Sequence, residues 1–328
     1  MVPGDFSGDR VTPRIARRQF LASASAVAAA VALSRTRLVR AQPAPLATIP
    51  VADGMTAVIG PNATVLAADT PDGVVMVDGG ERTWSDALLR TVGDRSGGKP
   101  IRALFNTHWH PEQTGSNETL GARGTEIIAH ENTKLWLGTK VDVRWSGKSY
   151  APLSPAGRPK TTFYDANDVT SFRFGELRAE CGHLLKAHTD GDIYVFFPDA
   201  NVLAVGGVVS NDRWPVIDWW TGGWLVGLVD AFETLVKVAN DGTRIVPGSG
   251  PVMSFADLKA HQAMYLTIFD RLQTLFTEAR DVAEVLAAKP TAEYDAKFGD
   301  PELFLTLAFS SFWGHLRDGH DRRLRSGA

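Results

Sequence analysis

The chain has 328 residues, of which 44% are hydrophobic and 22% are charged, and its formal net charge at pH 7 is −3. This composition is ordinary for a globular protein and allows a large core. A mildly acidic chain without a basic block is a poor candidate for nucleic-acid binding. The single cysteine, Cys181, excludes an intramolecular disulfide.

The N-terminal residues have the parts of an export signal in the expected order. Arg17 and Arg18 precede an alanine-rich apolar run from Phe20 to Leu33, and Val39-Arg40-Ala41 offers a cleavage site. This order resembles a twin-arginine signal, and the apolar run is too short for a permanent membrane span. We therefore expect a periplasmic or secreted protein without stable membrane insertion.

Cleavage after Ala41 would leave one domain, residues 42–328, with 27 basic and 35 acidic side chains and a net charge of −8. Its first half starts with a proline-rich lead-in at 42–50, and residues 137–160 are irregular and could cover a site. Short apolar runs bounded by turn residues predict strands at Thr56–Ile59, Thr64–Ala67, Val74–Val77, Ile101–Phe105 and Glu126–Ala129. Helices are predicted at Trp84–Val92 and Thr114–Ala122.

The second half of the domain has the same pattern of short predicted strands and helices. Strands are predicted at Val169–Phe174, Glu176–Cys181, Asp192–Phe197, Val202–Val205 and Arg244–Val246. Helices are predicted near Val226–Ala239 and Phe255–Thr277. Strand-rich units followed by helices, twice, indicate an α/β protein with two sheets and helices outside them.

A histidine pair marks the end of one predicted strand. His108 and His110 follow the apolar run Ile101–Phe105 in the segment NTHWHPEQTG. Side chains two residues apart in an extended segment point the same way, so both imidazoles aim together. Imidazole is a ligand for zinc, copper, iron and nickel. The pair alone is also compatible with two ordinary surface histidines.

Further motifs make the chain similar to the metallo-β-lactamase superfamily. They are VMVDGG at 75–80, NTHWH at 106–110, AHTDGD at 187–192, VGG at 205–207 and VPGSGP at 246–251, in the order and spacing of that family. The resemblance covers roughly residues 50 to 255. It implies an αββα sandwich with a metal site at one edge, and a mostly hydrolytic chemistry. It also implies that His108, His110 and His188 hold the first metal and that Asp78 is structural.

The departures from the family pattern all fall on the second metal. Glu112 and Gln113 replace an Asp-His pair, Gly207 replaces the bridging Asp, and Ser249 replaces the last His. Glycine has no side chain to offer, and serine is a poor ligand. We therefore expect a single metal ion, Zn²⁺ in the first instance, held by three histidines with a fourth position open for water.

Glu112 has three possible roles at this stage. It could act as a general base toward the water, or become a fourth ligand, or form a salt bridge or helix cap. A three-His-one-Glu set would also suit iron, manganese or copper, and oxygen chemistry. Gln113 cannot act as a base, but it can position water or substrate by hydrogen bonds or serve as a weak metal ligand.

Other candidates are less specific. Pocket walls are expected from Trp109, Trp214, Trp219, Trp220 and Ser249, with a packed aromatic core as the alternative for the tryptophans. Asp190 and Asp192 could hydrogen-bond a ligand imidazole or simply shape a turn. The five-residue spacing of His315 and His320 is awkward for one helical face, which argues against a joint metal site.

The leading hypothesis is an exported mononuclear metallohydrolase for a small molecule. Metal-bound hydroxide would attack an ester, lactone or amide-like bond, with Glu112 assisting proton transfer. The alternatives are a mononuclear oxygenase and a metal-binding protein without turnover. The sequence does not determine the oligomeric state.

Overall fold

The computed structural model describes residues 46–143, 145–164 and 169–314. The expected signal at 1–41 and the pair His315 and His320 lie outside these ranges. Two large sheets carry the fold, and a two-stranded hairpin forms a third, small sheet. Within the described ranges, no helix has both the length and the apolar character that a membrane span requires.

The first sheet has seven strands in the order β1-β2-β3-β4-β5-β6-β9. Strands β1 to β4 form an antiparallel meander, and β4, β5, β6 and β9 run parallel. The strands are β1 (Ala47–Ala52), β2 (Met55–Ile59), β3 (Thr64–Thr70), β4 (Gly73–Val77), β5 (Ile101–Phe105), β6 (Glu126–His130) and β9 (Thr161–Phe163). Strand β1 lies in the predicted proline-rich lead-in, and Pro50 is tolerated there because β1 is an edge strand.

The second sheet has five strands in the order β10-β11-β12-β13-β14. All pairs are antiparallel except β13 with β14, which are parallel. The strands are β10 (Thr170–Phe174), β11 (Leu177–His183), β12 (Ile193–Phe197), β13 (Val202–Ser210) and β14 (Arg244–Ser249). The hairpin comprises β7 (Val141–Val143) and β8 (Lys148–Tyr150), in the segment expected to be irregular.

Helices flank both sheets. They are α1 (Ser85–Arg95), α2 (Pro111–Thr114), α3 (Asn117–Ala122), α4 (Glu131–Leu137), α5 (Leu225–Val238), α6 (Phe255–Thr277), α7 (Val282–Ala288), α8 (Asp295–Phe298) and α9 (Glu302–Gly314). Single turns of 3₁₀ helix occur at Arg82–Trp84, Pro155–Gly157 and Trp219–Thr221.

The alternation of strand β4 shows how the layers are built. Val75 and Val77 pack in the core between the two sheets, together with residues of β11, β12 and β13. Val74 and Met76 point to the opposite face and pack with Leu88 of α1. Successive strand residues face opposite sides, so each strand serves two cores. With α5 to α9 on the outer face of the second sheet, the molecule is the expected αββα sandwich.

Candidate metal centre

Three histidines meet at one edge of the sandwich. His108 and His110 follow β5 of the first sheet, and His188 lies in the turn between β11 and β12 of the second. All three are buried, and their ring centroids are 4.6–4.8 Å apart. One ring nitrogen from each lies within 4.8 Å of the others. The structure therefore brings together the three histidines predicted as metal ligands.

Each imidazole is oriented by a partner on its other nitrogen. The Nδ1 of His108 contacts the Thr107 hydroxyl at 3.1 Å, and the Nδ1 of His188 donates to the Val216 carbonyl. The Nε2 of His110 donates to the Asp218 carboxylate at 3.1 Å. Such partners fix the tautomer and aim of a ligating histidine. They leave the Nε2 of His108, the Nδ1 of His110 and the Nε2 of His188 facing one another.

Burial keeps two of the three imidazoles, those of His108 and His188, neutral. Burial, reinforced by the neighbouring histidines, lowers the pKa of His108 well below its usual value. Burial and the proximity of His110 lower the pKa of His188 to about 3. Burial acts to raise the pKa of Asp218, but its hydrogen bonds with His110 and Thr221 outweigh burial and hold that pKa below its usual value. Neutral imidazoles beside an ionised carboxylate are the state that binds a divalent metal.

The turn that carries His108 is itself held by a buried acid. The Asp78 carboxylate accepts hydrogen bonds from the backbone N–H of Thr107 at 2.8 Å and from its hydroxyl. Burial raises the pKa of Asp78 to about 7, although the Thr107 bonds oppose the shift. Gly206 packs against the same threonine, and a Cβ there would lie 2.3 Å from the Thr107 hydroxyl oxygen. Asp78 has the structural role that the resemblance implied.

The residues present fit a metal ion. The Nε2 of His108 is buried and has no hydrogen-bond partner, which is costly unless something binds it. The Nε2 of His188 and the Nδ1 of His110 are 2.9 Å apart. Tetrahedral Zn²⁺ with bonds of about 2.0–2.1 Å would separate its ligand nitrogens by roughly 3.3 Å. Small rotations of the three rings would therefore accommodate such an ion.

The positions of the family's second metal are arranged differently. A Cβ on Gly207 would lie 2.5 Å from the His188 ring and 2.8 Å from the His108 ring. Ser249 donates to the Asp212 carboxylate at 2.7 Å. The Gln113 amide points to the Gly248 carbonyl at 3.4 Å. Ser249 and Gln113 therefore both hydrogen-bond other protein groups.

Glu112 lines the same space but stands apart from the histidines. It is the second residue of α2 and is half-buried. Among the described residues, the His, Cys, Asp and Glu side chains close enough to share a metal here are the three histidines alone. This arrangement places Glu112 at the wall of the space and outside the ligand group.

The histidines open into a cavity of about 360 Å³, which we call the central cavity. It is also lined by Glu112, Gln113, Ser249 and Trp214, which the sequence singled out, and by residues that it did not, among them Trp145, Lys148, Tyr150 and Arg213. Three of these four belong to the β7–β8 hairpin. Burial, with the negative charges of Glu112 and Glu81, raises the pKa of Tyr150, so its hydroxyl remains a donor at neutral pH.

Three of the tryptophans expected in the pocket wall do not line the central cavity. Trp109 points to the other side, packs with Leu137 and Val143, and donates to the Thr221 hydroxyl at 3.1 Å. Trp219 packs against the core under the second sheet. Trp220 lines a neighbouring hollow instead. Alternation along the HxH segment explains Trp109, because it places the middle residue opposite the ligands.

Asp218 is the site residue that sequence reasoning missed. Its carboxylate accepts from His110 and also from the hydroxyl and the backbone N–H of Thr221. Asp192 instead accepts from Thr189 and shapes its turn. Asp190 accepts from the Trp136 indole. No sequence signal near Asp218 marked it, since it lies 108 residues from the histidine it contacts.

The sandwich and its buried histidine triad define a mixed α/β protein with a candidate metal site at one edge. The sequence model of the metallo-beta-lactamase superfamily matches residues 57–257. The chain belongs to that superfamily, and this confirms the resemblance seen in its motifs.

Individual relatives are more distant. The type 2 metallo-beta-lactamase of Bacillus cereus is 26% identical over 194 residues, which span 57% of this chain and 66% of the relative, just under two thirds. Among solved structures, a metallo-beta-lactamase from Pontibacter korlensis aligns with a TM-score of 0.55 at 18% identity, covering 67% of this chain and 99% of its own. The DIM-1 metallo-beta-lactamase gives 0.53 at 15% identity, covering 68% and 97%. At these identities the solved structures show the fold alone.

Proposed function

We propose that the chain is a hydrolase that uses one divalent metal ion, Zn²⁺, to cleave an ester, lactone or amide-like bond in a small molecule. The observation that carries the proposal is the contrast inside the central cavity. Three buried imidazole nitrogens converge there, while Gly207, Ser249 and Gln113 offer no second set of ligands.

The chemistry of the metal follows from the donor set. Three neutral histidines leave a fourth position open, and Zn²⁺ in such a site lowers the pKa of water to around 7 and supplies hydroxide at neutral pH. A two-metal mechanism for phosphodiesters needs a second ion, so phosphodiester cleavage is disfavoured.

The protein's own groups have distinct tasks in this proposal. Glu112, at the cavity wall, takes a proton from the attacking water and returns it to the leaving group. Gln113 is buried beside it and orients water or substrate through its amide. The protonated Tyr150 hydroxyl is a donor available for the charge that develops on the carbonyl oxygen.

The test is elemental analysis of the purified mature chain, followed by turnover on a panel of esters, lactones and β-lactams, with a phosphodiester as the negative control. One zinc per chain and cleavage of at least one carbonyl substrate would support the proposal. Two metals per chain would overturn the mononuclear part. One iron, manganese or copper, with oxygen consumption in place of hydrolysis, would overturn the hydrolase and favour an oxygenase. A loaded metal without any turnover would favour a binding protein.

We also propose that the chain is exported through its twin-arginine-type signal and cleaved after Ala41. The support is the order of Arg17-Arg18, the apolar run and the small residues before the proposed cut. Mass spectrometry of the protein from the periplasmic fraction should give a chain starting at Gln42. In a variant with Arg17→Lys and Arg18→Lys, the precursor should accumulate inside the cell. Export unaffected by that change would count against this signal.

A further inference from the structure

A second hollow adjoins the central cavity, and we call it the aromatic cleft. It has a volume of about 580 Å³ and is lined by Trp145, Trp220, Leu303, Thr306 and Leu307, and its charged members among the described residues are Asp300 and Glu302. Trp145 and Leu303 also line the central cavity. The two hollows therefore meet along one indole and one leucine side chain.

The aromatic cleft begins close to the metal ligands. The Trp145 ring centroid is 6.2 Å from that of His110 on one side and 6.2 Å from that of Trp220 on the other. A single indole thus separates a metal ligand from the cleft. A substrate group attached near the reacting carbonyl would reach the cleft by passing along Trp145.

The wall on the far side is held in place by the C-terminal helices. The Trp214 ring packs between Phe298 of α8, at 4.8 Å, and Phe304 of α9, at 4.9 Å. Its Nε1 donates to the Gly299 carbonyl at 3.1 Å. These contacts anchor the start of α9, which carries Leu303. The superfamily match ends at residue 257, so this wall is supplied by a part of the chain outside the matched region.

The chemistry of the lining indicates what would bind. Leu303 is 43% exposed although its neighbours on α9, Phe304 and Leu305, are almost fully buried. Covering its apolar surface and the two indole faces with an apolar group would be favourable. Asp300 and Glu302 carry the same sign of charge at the rim and would repel an anionic tail.

We propose that the aromatic cleft binds an extended, uncharged apolar group of the substrate, an alkyl chain or an aromatic ring, and that Leu303 makes the cleft select for its length. The proposal rests on the proposed hydrolase function, because it treats the bound apolar group as part of a substrate. Binding of the apolar group itself does not require turnover.

The experiment therefore measures binding first. Isothermal titration of the metal-loaded mature protein with hexan-2-one, octan-2-one and decan-2-one, which cannot be hydrolysed, should show Kd falling about fourfold per added methylene. Leu303→Gln should flatten this dependence. Leu266→Gln is the matched control, because Leu266 is 42% exposed on α6 and lines neither hollow. Thr306→Trp should fill the cleft and weaken binding of the longest ketone alone.

The results test the aromatic cleft separately from the proposed hydrolase function. A Kd that is independent of chain length, or an equal effect of Leu303→Gln and Leu266→Gln, would overturn the proposal. A ketone ending in a carboxylate that binds as tightly as its methyl analogue would overturn the charge selection at the rim. Turnover is then measured on p-nitrophenyl esters of two to ten carbons. Chain-dependent binding without turnover of any ester or lactone would support the cleft and count against the hydrolase.

Discussion

The two halves of the central cavity are built in opposite ways. In one half, three histidines turn a nitrogen inward, and Thr107, Val216 and Asp218 hold their outer nitrogens. In the other half, the positions that would hold a second metal are occupied by groups that turn elsewhere. The Ser249 hydroxyl donates to Asp212, and the Gln113 amide donates to the Gly248 carbonyl. Side chains there now belong to hydrogen bonds that a second ion would have to break.

Gly207 packs closely against the histidine half of the cavity. A Cβ at that position would lie under 3 Å from two of the ligand imidazoles. A side chain at this position would therefore require both imidazole rings to shift.

The largest expected effect comes from removing one of the histidine ligands in the first half of the cavity. His188→Ala should remove the metal and lower turnover by about 10³-fold or more, since two imidazoles are too few to hold a catalytic zinc. Metal per chain and kcat/KM are the measurements. His261→Gln is the control, because His261 is also buried but does not line the cavity. Unchanged metal content in His188→Ala would show that the triad is not the site.

The next variant tests whether Glu112, at the boundary of the two halves, acts as a general base or as a metal ligand. Glu112→Gln should keep one metal per chain and lower kcat by about 10²–10⁴-fold, the usual contribution of a general base. Glu131→Gln is a matched control, because Glu131 is also in the first turn of a short helix but lies away from the cavity. Loss of the metal in Glu112→Gln would instead make Glu112 a ligand.

A smaller effect is expected from substituting a residue that hydrogen-bonds a ligand histidine. Asp218→Asn should weaken metal affinity by about 10–100-fold, because the carboxylate orients His110 and raises its basicity. Asp212→Asn is the control from the other half of the cavity, where the acid binds Ser249 and Arg213. Competition with a chelator of known affinity gives both values. Equal losses in the two variants would remove the distinction between the halves.

The smallest effect should come from restoring the family residue in the second half. Ser249→His should still bind one metal, with kcat/KM changed by less than about tenfold, because Gly207 and Gln113 remain unable to complete a second site. Zinc titration followed by elemental analysis counts the ions. A second equivalent bound tightly by this single variant would show that the second half is closer to a metal site than its geometry indicates.

Much of the fold was predictable from the sequence because alternating apolar residues determine strands. The period of two in β4 separates Val75 and Val77 from Val74 and Met76, and the structure places these pairs in different cores. Strand β1 was missed because Pro50 argues against a strand unless its edge position is known. The β7–β8 hairpin was missed because its polar strands have only three residues each.

The candidate site was predictable only where the ligands are marked locally. His108 and His110 are recognisable by their spacing at a strand end, and His188 by its motif. Asp218 and Leu303 are not, because their roles depend on which distant loop or helix packs at the cavity. The number of tryptophans does not show which of them line the cavity. Trp214 lines it, whereas the indole of Trp109 donates to Thr221, which in turn donates to Asp218.

The histidines lie in loops that follow strands of two different sheets, which has a consequence for folding. His110 and His188 are 78 residues apart, so an ion bound by both cross-links a long stretch of chain and joins the sheets at their shared edge. Such a cross-link restricts the unfolded ensemble, and binding to the folded state alone shifts the unfolding equilibrium. A bound ion would therefore stabilise the folded sandwich as well as take part in the reaction. A chelator would then lower the melting temperature of the whole domain together with its activity.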